Sequence, residues 1–223
     1  SNSFLSMKIS FINAISIICE RAGADVVNVA EGVGMDKRIG RAFLDAGVGF
    51  GGFCFPKDIR AFIGIAQKLG YDFKLLKEVE RINEEQKRMF VAKVKDALWN
   101  LSGKIVGVLG LSFKPETDDM RYAPSLDIIK NLISEGAKVK AYDPAAMEGA
   151  RKLLDGVEFC KNPYEAAEGA DAVALVTEWD EFKNLDLKKL RLIMRSPVLI
   201  DGRNVFDPKT AQELGFVYRG VGR

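Results

Sequence analysis

The sequence predicts an α/β protein in two parts: an all-helical segment over residues 1–101, joined by a long helix to a Rossmann-like parallel α/β segment over residues 102–223. Three observations carry this. Apolar residues recur at three- and four-residue spacing through the first hundred positions. From Lys104 the pattern changes to short β-rich runs alternating with helical ones. Between the two regimes, Phe73 to about Leu101 reads as one helix, longer than a small domain needs and therefore suited to bridging two parts.

Taken in order, Phe4, Ile9, Ile12, Ile15 and Cys19 trace one face of a first helix that stops at Ala22-Gly23. A short helix over Ala24 to Gly34 follows, stopped by Gly32 and Gly34. Pro56 suits the first turn of a third helix running to about Leu69 and ending at Gly70. The long helix carries Ile82, Met89, Phe90, Val94 and Leu98 as apolar positions among Glu and Lys, and Leu101-Ser102-Gly103 marks the boundary. Strands are expected at Lys104 to Leu109, Lys138 to Tyr142, Ala172 to Val176 and Val198 to Ile200. Helices are expected near Ser125 to Glu135, Ala145 to Leu154, Tyr164 to Glu168 and Leu187 to Met194. That alternation predicts a parallel sheet covered on both faces, whose ligands sit beyond the carboxyl ends of the strands. Phe113-Lys114, after the first strand, and Asp201-Gly202-Arg203, after the fourth, fall at those ends.

Composition narrows the function classes. With 33 Lys and Arg against 31 Asp and Glu, the net charge of +2 implies no bulk affinity for nucleic acid or a membrane surface, so any basic function is local. Three scattered cysteines make no disulfide framework, and the lack of histidine excludes a mixed-ligand zinc site and a Cys-His nucleophile pair; no metal is expected. No apolar run reaches the roughly eighteen residues of a spanning helix, and no signal peptide is legible, which leads to a cytoplasmic expectation.

The chemistry concentrates in Gly47 to Asp58, Gly-Val-Gly-Phe-Gly-Gly-Phe-Cys-Phe-Pro-Lys-Asp. Its glycines allow positive φ and close backbone approach to a ligand. Cys54 falls just ahead of a helix start, where free amide donors and the positive end of the helix dipole favour thiolate, with Lys57 a further cation in the same turn. Most cysteines are small buried apolar residues, the reading for Cys19 and Cys160; glycines, helix start and Asp58 together set Cys54 apart as a nucleophile.

This run resembles the active-site segment of the UDP-glucose/GDP-mannose dehydrogenase family, and of its UDP-glucose 6-dehydrogenases in particular. Asn2 to Asn13 is similar to the helix entering that family's central domain, and Arg38 to Leu44 to the segment before the cysteine loop. Gly107 to Arg121 and Asp201 to Asn204 resemble two signatures of its C-terminal UDP-sugar-binding domain. The resemblance implies oxidation of a UDP-sugar's C6 alcohol to a carboxylate with two NAD in succession, through a thiohemiacetal and a thioester on Cys54. Asp58 matches a carboxylate acting with water near the sulfur, and Asn2 an oxyanion donor. Arg38 matches an arginine that reaches the sugar nucleotide across a homodimer interface. Phe43, Leu44, Phe50 and Gly51 match the loop around the substrate, Phe113 and Lys114 the sugar contact, and Arg203 another anion contact. Lys57 and Arg121 match residues that approach NAD.

The sequence also departs from the family pattern. No Gly-x-Gly-x-x-Gly stands after a strand near the first residue, and the family's catalytic lysine and glutamate have no counterparts here. The chain therefore reads as the central and C-terminal domains without the main NAD-binding domain, expected not to catalyse alone. Ala14 stands where many relatives carry glutamate, and Phe53 replaces the small serine usual before the cysteine, reshaping the pocket mouth. Two alternatives stay open: a sister enzyme acting on GDP-mannose or a UDP-N-acetylhexosamine, and a non-catalytic UDP-sugar-binding or dimerisation fragment.

Overall fold

Four helices precede the sheet in a computed structural model that describes residues 1–223: α1 (Asn2–Ala22), α2 (Val26–Gly34), α3 (Cys54–Lys68) and α4 (Lys74–Leu98). Gly23 ends α1 in the left-handed conformation at φ 67°, and the Asp25 side chain caps α2 by accepting from the Val27 amide. By length and composition α1 is long and apolar enough to cross a membrane, an 18-residue stretch of its 21 residues averaging a hydropathy of 1.3, which corrects the expectation drawn from uninterrupted runs. Its polar residues explain both readings. Ser6, Ser10, Asn13 and Ser16 interrupt the run in sequence and are buried in the fold, where Ser10 Oγ donates to the Val79 carbonyl of α4 at 2.8 Å. α1 packs along α4 and α3, with Ile12 fully buried between α1 and α2.

α4 stops three residues short of the expected Leu101, because Trp99 takes a left-handed φ of 69°. Its second half, Phe90 to Leu98, lies in the core of the sheet that follows. That sheet has six strands: β1 (Ile105–Leu109), β2 (Lys138–Tyr142), β3 (Val157–Phe159), β4 (Ala172–Leu175), β5 (Val198–Asp201) and β6 (Val217–Arg219). All pair in parallel in the order β3-β2-β1-β4-β5-β6, with Gly107 of β1 opposite Lys140 on one side and Val173 on the other. The connecting helices are α5 (Pro124–Ser134), α6 (Met147–Leu153), α7 (Pro163–Ala167), α8 (Asp180–Lys183), α9 (Leu187–Ile193) and α10 (Pro208–Glu213). One face of the sheet packs Val106, Val108 and Val139 against Phe90, Ile128, Leu132 and Ala150; the other packs Val173, Leu175 and Leu199 against Ala166, Leu190 and Ala211. The sheet is thus covered on both faces, as the alternation predicts.

The sequence reading missed β3, β6, α8 and α10. Each strand is three residues at an edge of the sheet, too short for a period to declare itself. For α10 a signal was present and unused: Asp207 caps it by accepting from the Thr210 amide, and Pro208 takes its first position. Because every strand is parallel, the loops after β1, β4 and β5 gather at one edge, and the strand order reverses between β1 and β4.

Candidate active site

Residues 47–53 run from the core to the head of α3, and four contacts fix their path. The Asn13 side chain accepts from the Gly47 amide at 2.9 Å, and the Val48 amide donates to the Gly202 carbonyl at 3.1 Å. Asn83 of α4 grips the peptide of Phe50 on both sides, accepting from its amide at 2.8 Å and donating to its carbonyl at 3.1 Å. The Gly52 amide donates to the Arg121 carbonyl at 2.8 Å. The glycines of this run are required by space, Gly51 and Gly52 most informatively. A Cβ on Gly51 would lie 2.3 Å from the Tyr122 carbonyl oxygen, and one on Gly52, where φ is 78°, would lie 2.7 Å from the Phe113 ring. The loop is thereby pressed against the segment after β1.

Cys54 emerges as the first residue of α3, exposed, with Pro56 inside the first turn. It opens into a cleft of about 550 Å³ lined by Phe43, Phe50, Gly51, Phe113, Lys114, Arg121 and Arg203 of the expected set. Phe43, at a left-handed φ of 65°, packs tilted against Phe55, and Phe50 meets Phe55 edge to face, making an aromatic wall beside the cysteine. Lys114 sits exposed after β1. Arg203 is set after β5 by Asp201, whose carboxylate accepts from the amides of Arg203 (3.0 Å) and Phe206 (2.9 Å) and from the Tyr218 hydroxyl (3.1 Å). Burial pushes the Asp201 carboxyl up from its ordinary range, and those donors oppose it. Arg203 Nε donates to the Val176 carbonyl at 2.8 Å with Glu178 at 3.1 Å, which fixes the side chain where it lines the cleft.

Phe53 lies between two cations at the cleft mouth, 4.7 Å from Arg121 and 5.4 Å from Lys57 measured to the ring centroid. Each cation also has a carboxylate partner: Arg121 with Asp119 at 2.8 Å, Lys57 with Asp58 at 3.0 Å. Asp58 Oδ2 accepts from the Asn2 amide at 2.5 Å, and that bond, then Lys57, holds the Asp58 carboxyl below the ordinary carboxylate range. Asn2, at the head of α1, and Lys57 and Asp58, near the start of α3, therefore form one cluster.

Leu44 and Arg38 are not part of the lining of this cleft. The Leu44 side chain is buried among α1 and α2, which leaves only its backbone for a ligand. Arg38 stands outside the cleft, its side chain 88% exposed and paired with Asp36. Sequence reasoning missed Asn13 and Asn83, which hold the loop, and Asp45, Phe55, Asp119 and Glu178, which line the cleft. The only available signal was an asparagine inside a helical apolar pattern. The geometry also sets an expected outcome: because Cys54 is exposed and Cys19 and Cys160 are buried, iodoacetamide under native conditions labels Cys54 alone, as read by peptide mass spectrometry. Equal labelling of all three would contradict the placement.

Comparison with known proteins agrees with this arrangement. Residues 1–85 match the central domain of the UDP-glucose/GDP-mannose dehydrogenase family, and residues 107–208 match its UDP binding domain. The chain is 49% identical over its whole length to the UDP-glucose 6-dehydrogenase TuaD of Bacillus subtilis, of which it covers 49%. It superposes on a UDP-glucose dehydrogenase structure from Pyrobaculum islandicum with a TM-score of 0.90 at 42% identity, covering 100% of this chain and 49% of that one. For a UDP-D-ManNAc dehydrogenase from Pyrococcus horikoshii the TM-score is 0.86 at 29% identity, covering 100% and 50%. The chain spans about half the length of the curated relatives it matches. With both domain matches in order, and with the cysteine loop of one closing against the strand ends of the other, the chain belongs to the UDP-glucose/GDP-mannose dehydrogenase family.

Proposed function

We propose that this chain carries the nucleophile and the nucleotide-sugar contacts of an NAD-dependent UDP-glucose 6-dehydrogenase. The observation that carries the reading is the shared cleft. It brings the exposed sulfur of Cys54 together with Lys114 and Arg203, which come from two strand ends and offer fixed positive charge and paired donors to a diphosphate. UDP-glucose is favoured over other nucleotide sugars by the pattern of identity, 49% and 42% with enzymes so named against 29% with the UDP-D-ManNAc enzyme.

The residues at the mouth fit one flank of NAD. Lys57 and Arg121, exposed on either side of Phe53, would hold its phosphates or ribose, and the cofactor when bound accepts the hydride removed at each oxidation. The chain's own groups supply the rest. Cys54 sulfur adds to the C6 aldehyde carbon, a C–S bond forming as the carbonyl pair moves to oxygen, and the Asn2 amide, which has a second proton beyond the one given to Asp58, donates to that oxygen. After the remaining C6 hydrogen has left as hydride, the carbon is a thioester. Asp58, held ionised, takes a proton from the water that adds to the thioester, and the C–S bond breaks to give the carboxylate and free Cys54. In isolation these 223 residues are expected to bind UDP-glucose weakly, NAD hardly at all, and to show no turnover. Calorimetry of the chain with UDP-glucose and with GDP-mannose tests the assignment. Preference for UDP-glucose supports it, and equal or reversed preference contradicts it.

The same reading includes a cytoplasmic homodimer, with residues 1–101 acting as the dimerisation domain and residues 102–223 as the UDP-sugar-binding domain. Phe4, Phe11 and Ile18 are exposed at seven-residue spacing on α1, and Lys8 of that helix donates to the carbonyls of Ile39 and Gly40. The turn carrying Arg38 thus borders an uncovered apolar stripe, which suits an arginine serving the partner's site. Light scattering at micromolar concentration is expected to give about twice the 24.6 kDa chain mass; the monomer mass would contradict the interface.

A further inference from the structure

In sheets with this strand order, a dinucleotide's pyrophosphate rests on the turn after the first strand, and an acidic residue near the end of the second receives a ribose hydroxyl. Asp143 follows β2, but it does not face outward. It is 1% exposed, and its carboxylate turns into the crevice where the strand order reverses. Oδ2 accepts from the amides of Leu111 (2.6 Å) and Ser112 (3.0 Å) and from the Trp179 indole (3.1 Å). Oδ1 accepts from the amides of Ala145 (2.9 Å) and Ala146 (2.8 Å). The Ser112 hydroxyl lies 3.2 Å from Oδ2 and 2.9 Å from the Lys114 carbonyl, so its one proton is shared between them. All these partners can donate, and the backbone amides and indole can only donate, so the carboxylate takes the place an anionic ligand would have on the turn after β1.

Resting on the cleft being the nucleotide-sugar site, we propose that Asp143 is a positioning residue for it: a built-in anion that joins the loops after β1, β2 and β4. Through Ser112 it fixes the backbone of Lys114, and through Trp179 it fixes the neighbouring Glu178 that flanks Arg203. Neither cation touches Asp143, yet both depend on the loops it ties. The same carboxylate closes this sheet's crevice to a dinucleotide phosphate, which leaves the cleft to the nucleotide sugar.

The test compares the wild-type chain with Asp143→Asn, and with Ser112→Ala in case the carboxylate is needed for folding; each variant is checked for a cooperative thermal transition. An amide at position 143 presents N–H to donors on one side. Amide exchange is therefore expected to rise across residues 110–116 and 177–180 while β5 stays protected, and calorimetric affinity for UDP-glucose to fall about tenfold. Ser112→Ala gives the same direction at smaller size. Adding formate to Asp143→Ala, where the small carboxylate can occupy the vacated donors, is expected to recover affinity, a response that a general packing role would not give. Unchanged exchange over 110–116 in the variants overturns the proposal whether or not the ligand binds. A loosened loop with wild-type affinity refutes the link to Lys114 and Arg203. Failure of the wild-type chain to bind UDP-glucose strikes at the proposed function instead, and the exchange measurement still decides the role of Asp143.

Discussion

Replacing Cys54 by alanine in the full-length dehydrogenase is expected to remove acid formation, lowering turnover by roughly four to six orders of magnitude, the scale on which loss of a covalent nucleophile acts. Nothing else in the cleft can take its place. The other two cysteines are buried in separate cores, and the chain has no histidine. Burial also pushes the Cys160 thiol up to about 11, further from the reactive form. UDP-glucose affinity should change little, because the proposed diphosphate contacts are Lys114 and Arg203, which line the cleft apart from the sulfur. Steady-state assay and calorimetry on the same preparation read both effects. Turnover within tenfold of wild type would rule out the thioester route.

Gly51→Ala should disable the site through packing alone. The added methyl would sit 2.3 Å from the Tyr122 carbonyl oxygen and 2.9 Å from Pro124 Cδ, a backbone atom and a rigid ring. Neither can rotate away, so the cysteine loop and the segment before α5 must separate, breaking the Gly52 to Arg121 hydrogen bond between them. Overpacking of this kind costs about 1–3 kcal/mol, and the backbone partner places this case at or above the upper end. Urea titration is expected to show the lowered midpoint, with UDP-glucose binding weakened in the same variant. Wild-type stability together with wild-type affinity would mean the loop does not pack where the structure puts it.

Much of this was legible in the sequence, for identifiable reasons. The cysteine loop announced itself because glycines, proline and cysteine each carry a local backbone or chemical signal. Four of the six strands showed as β-rich runs, and their parallel order follows from the helices between them. What escaped depends on contacts distant in sequence. Asn83 lies 33 residues from the Phe50 peptide it grips, and Asp143 lies 32 residues from the Leu111 amide it accepts from; each looks like an ordinary polar residue until the fold buries it. Leu44 differs in the opposite direction: its neighbour Phe43 lines the cleft while its own side chain turns into the core, a distinction no local signal carries. The apolar length of α1 was misjudged because its serines read as interruptions rather than as a buried hydrogen-bonded face.

In the proposed reaction Cys54 carries the sugar carbon during oxidation. The most direct measurement is acid quenching of the full-length enzyme during turnover with UDP-glucose and NAD, followed by mass spectrometry of its peptides. A UDP-glucuronoyl thioester is expected on the peptide containing Cys54 and on neither of the peptides containing Cys19 and Cys160. Continued formation of UDP-glucuronate by enzyme whose Cys54 has been fully alkylated, with no adduct on any cysteine, would contradict it.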